Sequence, residues 1–410
     1  MRLLDSLLNT FVQRGTLRLY GANGALRVFG GRSRESGDDP IVTARIHTKA
    51  LERKLFLNPE LYAAEGYMDG ALTFEEGSTL YDFLFLFSIN RAPLGAHPVQ
   101  GLLRKGWKAL RRRQQANNVE RAKTQARAHY DLSTDLYRLF LDDGLNYSCA
   151  YFRTPDDSLE TAQNAKLTHI VAKLQLQPGM RVLEIGGGWG SLAIRMAQAG
   201  AEVTSLNVSP EQLAIARTRV DAAGVADRVK FIMQDYREFS GAFDRVVSVG
   251  MMEHVGVFHF DAFFGKVRSL LAPGGTAMIH SIGRMTPPGT TGPFIRKYIF
   301  PGGYVPALSE TFASLERVGM WVCDVEVLRL HYYYTIRHWR QRFAARRDEA
   351  RAIYDERFCR MWEFYLIAVE LGFLHGSNMV FQLLLANERD AVPIVRDFIV
   401  DDERTLMAKA

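Results

Sequence analysis

The chain has 410 residues, a hydrophobic content of 47% and a formal net charge of +6. This length suits two domains better than one, and the apolar content supports a sizeable core rather than disorder. The moderately basic charge suits an anionic partner, either nucleic acid or a phospholipid surface. Three widely spaced cysteines (Cys149, Cys323 and Cys359) form no metal-ligand spacing, which argues against a disulfide framework or a zinc site and favours a reducing, cytosolic compartment.

The first 100 residues predict a small α+β module. Leucines at helical spacing between residues 3 and 8, followed by Phe11, predict an amphipathic helix. We expect it to pack on its own domain, with a membrane-lying helix as the alternative. Further elements are predicted as strands at 16–29 and 41–46 and as helices at 59–65 and 80–90. No apolar run in the chain has the length of a membrane span.

Residues 101–125 are predicted to form a basic linker helix. Nine lysines and arginines fall between residues 101 and 128 against one acid, Glu120, and Trp107 lies among them. Such a segment is either a solvated linker or a surface for anionic lipid headgroups. Nucleic acid is disfavoured as a partner because no recognised nucleic-acid motif accompanies the charge.

Alternating strand and helix patterns between residues 165 and 285 predict an α/β, Rossmann-like sheet that is mostly parallel. Its ligand belongs at the carboxyl ends of the strands. The predicted strands are 180–185, 201–207, 228–233, 243–249 and 275–281. Beyond them we predict an irregular insertion at 286–306, a strand at 321–329, an aromatic helical stretch at 334–375 and an apolar run at 379–385.

The first of these strands leads into EIGGGWG, residues 184–190, and then into a helical pattern. A strand, a glycine-rich turn and a helix form the nucleotide-binding corner of doubly wound folds. The acidic residue two places before Gly-x-Gly-x-Gly is typical of S-adenosylmethionine (SAM) sites. A dinucleotide site would place a glycine where Ser191 stands, and a plain tight turn is the remaining alternative.

Polar residues follow the next strands at the same predicted edge. Asn207, Ser209 and Gln212 are candidates to hold ribose hydroxyls, with Glu211 as the acidic candidate. Asp235 and Tyr236 follow the third strand, where a carboxylate acceptor beside an aromatic face suits an adenine. Ordinary loop chemistry explains each residue equally well by itself. Their shared position at strand ends favours the binding interpretation.

Titratable groups end the fourth and fifth strands. Glu253 and His254 follow the fourth strand, and His280 lies at the end of the fifth. A glutamate–histidine pair alone is more often structural. Two neighbouring strand ends carrying such groups indicate an acid/base or anion-holding site.

The chain resembles the cyclopropane-fatty-acyl-phospholipid synthases and the related mycolic acid cyclopropane synthases over nearly its whole length. Segments similar to that family occur in the family's order: HYDLSTDLYRLFLDDGLNYSCAYF, EIGGGWG, QDYREF, FDRVVSVGMMEHVG, HSIG, FIRKYIFPGGYVP and HYYYTIRHWRQRF. EGYMDG, residues 65–70, resembles the additional N-terminal domain of the bacterial members that act on phospholipids.

The resemblance implies a class I SAM-dependent methyltransferase fold with a smaller N-terminal α+β domain, and it assigns site residues. It places SAM against eight residues: Tyr147, Ser148, Gly186, Gly188, Val208, Gln212, Asp235 and Tyr236. It also implies a bicarbonate ion between SAM and the acyl chain, with five residues around it: Cys149, Glu253, His280, Ile282 through its backbone, and Tyr332. Without the resemblance, Cys149 reads as a buried core thiol.

The implied activity transfers a methylene group from SAM to the cis double bond of an unsaturated acyl chain in a phospholipid. Residues 1–100 are then an accessory lipid-binding domain and 126–410 the catalytic domain. The implied protein is a cytoplasmic homodimer that docks on the membrane. Alternatives are a relative making a methyl- or methylene-branched chain and a non-catalytic lipid-binding protein. Two departures from the family, Gly187 for cysteine and Asn207 for threonine, are expected to change little.

Overall fold

The computed structural model describes residues 2–30, 39–91 and 132–408. The predicted basic linker helix at 101–125 lies outside the described residues. The chain divides into two compact units. The first unit comprises Met1–Gln114, Thr290–Pro301 and Ile336–Ser377, and the second comprises Gln115–Gly289, Gly302–Thr335 and Asn378–Ala410. The first unit thus includes two segments that the sequence assigned to the catalytic domain.

The N-terminal part of the first unit has mixed helices and strands, as the sequence predicts. Its elements are α1 (Arg2–Phe11), β1 (Thr16–Tyr20), β2 (Leu26–Gly30), β3 (Ile41–Ile46), α2 (Lys49–Leu57), α3 (Pro59–Met68), β4 (Leu72–Glu75) and α4 (Leu80–Ile89). The four strands form one sheet in the order β2-β1-β3-β4. The predicted strand 16–29 is a hairpin, because Gly24 adopts φ +78° in the turn between β1 and β2.

Helix α1 packs on its own unit, as expected. Leu4, Leu7, Leu8 and Phe11 are buried, while Leu3 is exposed. The apolar face of this amphipathic helix is therefore already covered by protein.

The remaining α-helices and strands of the described chain, with short 3-10 and π turns between some of them, begin at residue 134. They are α5 (Thr134–Arg138), α6 (Leu159–Leu174), β5 (Arg181–Ile185), α7 (Ser191–Gln198), β6 (Glu202–Asn207), α8 (Pro210–Ala222), β7 (Val229–Met233), β8 (Phe243–Val249), α9 (Phe260–Leu270), β9 (Leu271–Arg284), α10 (Leu308–Val318), β10 (Trp321–Leu328), α11 (His331–Ala345), α12 (Arg347–Ile353), α13 (Glu356–Leu374), β11 (Asn378–Ala386) and α14 (Phe398–Ala408). The predicted aromatic stretch 334–375 is three helices, α11 to α13. The last of them begins after Asp355, which caps it by accepting a hydrogen bond from the Phe358 N–H at 2.6 Å.

The second unit contains a seven-stranded sheet with the order β10-β11-β9-β8-β5-β6-β7. Strands β5 to β9 pair in parallel, and β11 pairs antiparallel with both β9 and β10. The prediction of a mostly parallel sheet is confirmed. From β5 the chain proceeds to β6 and β7 on one side and later to β8 and β9 on the other. This reversal of strand order opens a crevice at the carboxyl end of β5, which is where such folds bind ligands.

Contacts within the first unit explain why the later segments belong to it. Helix α13 packs against α3 and α4. The Tyr67 hydroxyl donates to Glu363 at 3.0 Å, and Arg357 pairs with Asp69 at 2.9 Å. The EGYMDG segment that suggested an additional N-terminal domain therefore binds residues far along the chain. No helix in the described part of the chain is both long and apolar enough to cross a membrane.

Candidate active site

The glycine turn after β5 has a backbone conformation that glycine adopts readily. Gly186, Gly188 and Gly190 have φ values of +88°, +51° and +88°, a region that side chains with a Cβ disfavour. The N–H groups of Gly186 and Gly187 both donate to the Leu206 carbonyl, at 2.9 and 3.1 Å. The turn is thus fixed to the end of β6, and its backbone lies open for close approach by a ligand.

The acidic residue of the turn is buried. Ser205 donates its hydroxyl to Glu184 at 2.6 Å, and burial raises the pKa of this carboxyl to about 7. A Cβ at Gly187 would lie 2.0 Å from the Ser205 hydroxyl oxygen and 2.7 Å from Glu184. Glycine at 187 therefore has a specific role in this chain, because it leaves room for the Glu184–Ser205 pair.

Asn207 organises the end of β6. Its amide donates to the Gly188 carbonyl at 3.1 Å and to Gln212 at 3.0 Å, and its carbonyl accepts the N–H groups of Val208 and Ser209. The side chain connects the glycine turn to the start of α8, so it has structural bonds in addition to its predicted ligand role.

Two of the ribose candidates have other partners. Ser209 caps α8 by accepting a hydrogen bond from the Gln212 N–H at 3.3 Å. Glu211, the acidic candidate, accepts hydrogen bonds from the hydroxyl and N–H of Thr134. Neither lines the cavity described next, whereas Asn207 and Gln212 do.

A cavity lies against the glycine turn, and its empty volume is about 1360 Å³ with the solvent at its mouth included. It is lined by all eight residues that the sequence assigned to SAM: Tyr147, Ser148, Gly186, Gly188, Val208, Gln212, Asp235 and Tyr236. A Cβ added to Gly188 would meet no atom within 4 Å, so the backbone faces open space there. A mostly apolar lining with a few polar groups fits a nucleoside cofactor.

The adenine candidates are fixed in position. Arg237 donates to both carboxylate oxygens of Asp235, at 2.8 and 2.6 Å. Tyr236 is buried edge-on against Phe263, with ring centroids 5.6 Å apart, and burial raises its pKa to about 12. A preformed carboxylate beside a rigid aromatic ring suits recognition of a flat heterocycle.

A second group of titratable residues lies in the protein interior. Glu253 follows β8 in a short 3-10 turn, and its Oε1 accepts a hydrogen bond from the Ile282 N–H at 2.6 Å. Its Oε2 is buried and has no hydrogen-bond partner among the described residues. Burial raises the pKa of this carboxyl to about 7, so it is protonated below that pH and about half protonated near it.

His280 is paired with a residue that the sequence interpretation missed. Strand β11 places Gln382 directly opposite His280 on β9, and the Gln382 amide lies 3.2 Å from His280 Nδ1. Burial, with further lowering by positive charges such as that of Lys166, reduces the pKa of His280 to about 3. The imidazole is therefore neutral. The sequence could have indicated Gln382, because it is a polar residue within the apolar run 379–385 and a buried amide needs a hydrogen-bond partner.

Cys149 and Tyr332 lie in segments that are tied together. Cys149 is buried, its thiol donates to the Ala150 carbonyl at 3.3 Å, and burial raises its pKa so that it stays a thiol. The Ala150 N–H donates to the hydroxyl of Thr335 at 3.0 Å. Thr335 lies one turn beyond Tyr332 in α11, and Tyr332 is also buried.

The structure therefore brings some of the five predicted catalytic residues together and shows no direct bond between the others. Glu253 contacts Ile282 directly, and His280 lies two residues before Ile282 on β9. The residue after Cys149, Ala150, bonds to Thr335 on the helix that carries Tyr332. None of the five is among the residues that line the cavity.

Helix α6 supplies another residue that the sequence interpretation missed. Gln163, Lys166 and Lys173 are each buried on this helix. Lys166 lines the cavity and donates to Ser148 at 3.0 Å. The sequence could have indicated Lys166, because it is a lysine on the helix face that packs into the core. An isolated lysine is rarely buried without a polar partner.

Comparisons with known proteins show the family to which the chain belongs. The family model described as mycolic acid cyclopropane synthetase matches residues 117–383. Tuberculostearic acid methyltransferase of Mycobacterium tuberculosis is 37% identical over 83% of this chain and 82% of its own length. Cyclopropane-fatty-acyl-phospholipid synthase of Escherichia coli is 39% identical over 65% of this chain and 69% of its own length.

Among solved structures, a mycolic acid cyclopropane synthase complexed with SAH and CTAB is 31% identical to this chain. It matches with a TM-score of 0.61 over 64% of this chain and 98% of its own. The fold, the glycine turn and these matches lead to one conclusion: the chain belongs to the mycolic acid cyclopropane synthetase family and is a SAM-dependent methyltransferase.

Proposed function

We propose that the protein transfers a methylene group from SAM to the cis double bond of an unsaturated phospholipid acyl chain, forming a cyclopropane fatty acid. The observation that carries the proposal is the buried Glu253 carboxyl, whose Oε2 has no partner among the described residues and whose pKa is raised to about 7. Such a group is held ready to bind or move a proton. When bound, SAM supplies an electrophilic methyl group.

The cavity residues have the role of orienting the cofactor. The open backbone of Gly186 and Gly188 lets a ligand approach β5 closely, and the fixed Asp235–Tyr236 pair suits an adenine. Because these groups are held by bonds to their own neighbours, binding requires little reorganisation. Preorganisation of this kind aligns the donor with a weak nucleophile such as an alkene.

The interior residues have the role of excluding water and removing a proton. Methyl addition to an alkene leaves positive charge on the acyl chain, and ring closure then requires loss of one proton from the added carbon. Cys149, Glu253, His280 and Tyr332 are all buried, so water does not compete for the cation. At neutral pH these four groups bring no full positive charge to the site.

We propose that the same residues hold a bicarbonate ion, which supplies a base for that proton. Anion binding requires hydrogen-bond donors. Because Glu253 Oε1 already accepts the Ile282 N–H, the carboxyl proton belongs on Oε2, where it can donate. A neutral His280 retains one N–H, and Tyr332 has its hydroxyl. The donor set fits an anion when Glu253 is protonated; Ile282 then acts by positioning Glu253 rather than by binding the anion.

A branched product is the second candidate, because a relative that covers 83% of this chain is named a tuberculostearic acid methyltransferase. Incubation with SAM and liposomes of unsaturated phospholipid, followed by mass spectrometry of the fatty esters, separates the candidates. A gain of CH2 with loss of the alkene supports the proposal. A gain with the alkene retained, or with two added hydrogens, supports branching. No gain supports a non-catalytic lipid-binding protein.

We also propose that the protein is a cytoplasmic homodimer that acts at the membrane surface through the N-terminal module and the basic segment 101–125. The support is the charge of that segment, which lies outside the described residues. Replacing Arg111, Arg112 and Arg113 by Gln is expected to weaken sedimentation with anionic liposomes at low salt. Unchanged sedimentation contradicts the membrane role, and a monomer in analytical ultracentrifugation contradicts the dimer.

A further inference from the structure

Lys166 is a buried cation at the edge of the cofactor cavity. Its side chain on α6 is 2% exposed, and it lines the cavity together with Asn146 and Ser148. Its ammonium donates to the Asn146 side-chain oxygen at 3.1 Å and to the Ser148 hydroxyl at 3.0 Å. Both acceptors are neutral, so they satisfy hydrogen bonds without balancing the charge.

No carboxylate lies within 4.0 Å of this ammonium in the described part of the chain. Asp142 and Glu184 act on it only from farther away, and burial lowers the pKa of Lys166 to about 8. The carboxyl of Glu184 is itself held by Ser205, and that of Asp142 accepts from Asn146 at 2.7 Å. The nearest acids are therefore engaged elsewhere.

Lys173, on the same helix, is a buried lysine that does have a carboxylate partner. It lies seven residues further along α6, is as buried as Lys166, and contacts Glu326 at 2.5 Å. A buried charge without a direct partner is costly, and a protein normally pairs it or neutralises it. The contrast indicates that the partner of Lys166 comes with a ligand.

We propose that Lys166 is the counter-ion for the α-carboxylate of the bound cofactor. The inference rests on the proposed SAM function. The cofactor is favoured over bicarbonate as the partner of Lys166, because Lys166 and both of its acceptors line the cavity. Glu253 and His280 do not line it. Ser148 then has a further role, because its hydroxyl holds the lysine toward the cavity.

The test is calorimetric titration with three non-reacting ligands: SAH, decarboxylated SAH, and 5′-methylthioadenosine, which lacks the amino-acid portion. The variant is Lys166→Met, in which an apolar chain of similar length replaces the buried cation and the fold is expected to persist. Lys230→Met removes the same formal charge from an exposed position on β7 and serves as the control.

We expect Lys166→Met to bind SAH about 10- to 100-fold more weakly, the range for losing a charge-assisted hydrogen bond. Both ligands without the carboxylate are expected to bind wild type and variant within about threefold, and Lys230→Met is expected to resemble wild type. Equal losses for SAH and its decarboxylated analogue overturn the inference, as does an unchanged SAH affinity. Failure of wild type to bind any of the three ligands contradicts the proposed function itself.

Discussion

The cofactor cavity and the interior cluster around Glu253 use the same sheet in different ways. The cavity is open and mostly apolar in its lining. Polar groups in its wall bond to one another, as Asn207 does to Gly188 and Gln212. The cluster is closed. It holds a carboxyl oxygen without a partner and an imidazole whose pKa burial lowers to about 3.

The difference separates binding from chemistry. Satisfied polar groups give a rigid surface that recognises a ligand of fixed shape. Buried titratable groups with unfilled hydrogen-bonding capacity are costly to keep, and functional sites are where proteins retain them. Changes in the cavity are therefore expected to alter cofactor affinity, and changes in the cluster to alter turnover.

The largest expected effect comes from Glu253. Replacing Glu253 by Gln keeps the shape and the acceptor for Ile282 but removes the acidic proton, so kcat is expected to fall at least about 100-fold. SAH affinity by calorimetry is expected to stay within about threefold. Glu202→Gln, at an exposed position on β6, is the matched control. Wild-type turnover by Glu253→Gln would refute the role of the carboxyl.

Gln382 offers a second test of the cluster. Gln382→Leu removes the partner of His280 Nδ1 and frees the imidazole to turn, so kcat is expected to fall about 10- to 100-fold, the scale of an outer partner that orients a functional histidine. SAH affinity is expected to be unchanged. The ¹⁵N shifts of His280, assigned by comparison with His280→Ala, are expected to report a changed tautomer. Normal turnover with unchanged shifts contradicts this positioning role.

The pH dependence follows from the raised pKa of Glu253. The carboxyl is neutral below about pH 7 and charged above it, so kcat/KM is expected to fall about tenfold per unit above that value. The stability of the folded state is also expected to fall as the pH rises. The unfolded state loses this proton near the ordinary value of 4.5, and the charged form is disfavoured by burial, so the folded state loses stability as pH rises from 4.5 to about 7.

Thermal unfolding of Glu253→Gln checks that sign. The variant is expected to gain stability relative to wild type on going from about pH 5 to about pH 8. A kcat/KM profile that rises above neutral pH would show that the charged carboxylate is the active form.

The smallest expected effect lies in the cavity wall. Gly187→Ala forces a methyl group against Ser205 and Glu184, which is expected to cost about 1–3 kcal/mol of stability and to weaken SAH binding severalfold. The double variant Gly187→Ala/Ser205→Ala is expected to recover part of the stability, because the closest contact is with the Ser205 hydroxyl. Unchanged stability and SAH binding in Gly187→Ala would show that the turn can move to make room for the methyl group.

The sequence predicted the cavity better than the cluster for a physical reason. The glycine turn and the ends of β6 and β7 are local patterns, so each could be read from a few neighbouring residues. Gln382 faces His280 only because β11 turns back antiparallel beside β9, a pairing across 102 residues that no local spacing encodes. Glu211, the acidic ribose candidate, bonds to Thr134, a partner 77 residues away that no local spacing encodes.

The measurement that tests the account most directly is isotope retention with methyl-trideuterated SAM and liposomes of unsaturated phospholipid. If the buried cluster removes one proton from the added carbon and the ring closes, mass spectrometry will show a product that has lost its alkene and kept two of the three deuterium atoms. A product that keeps all three, or one that keeps its double bond, would contradict cyclopropane formation.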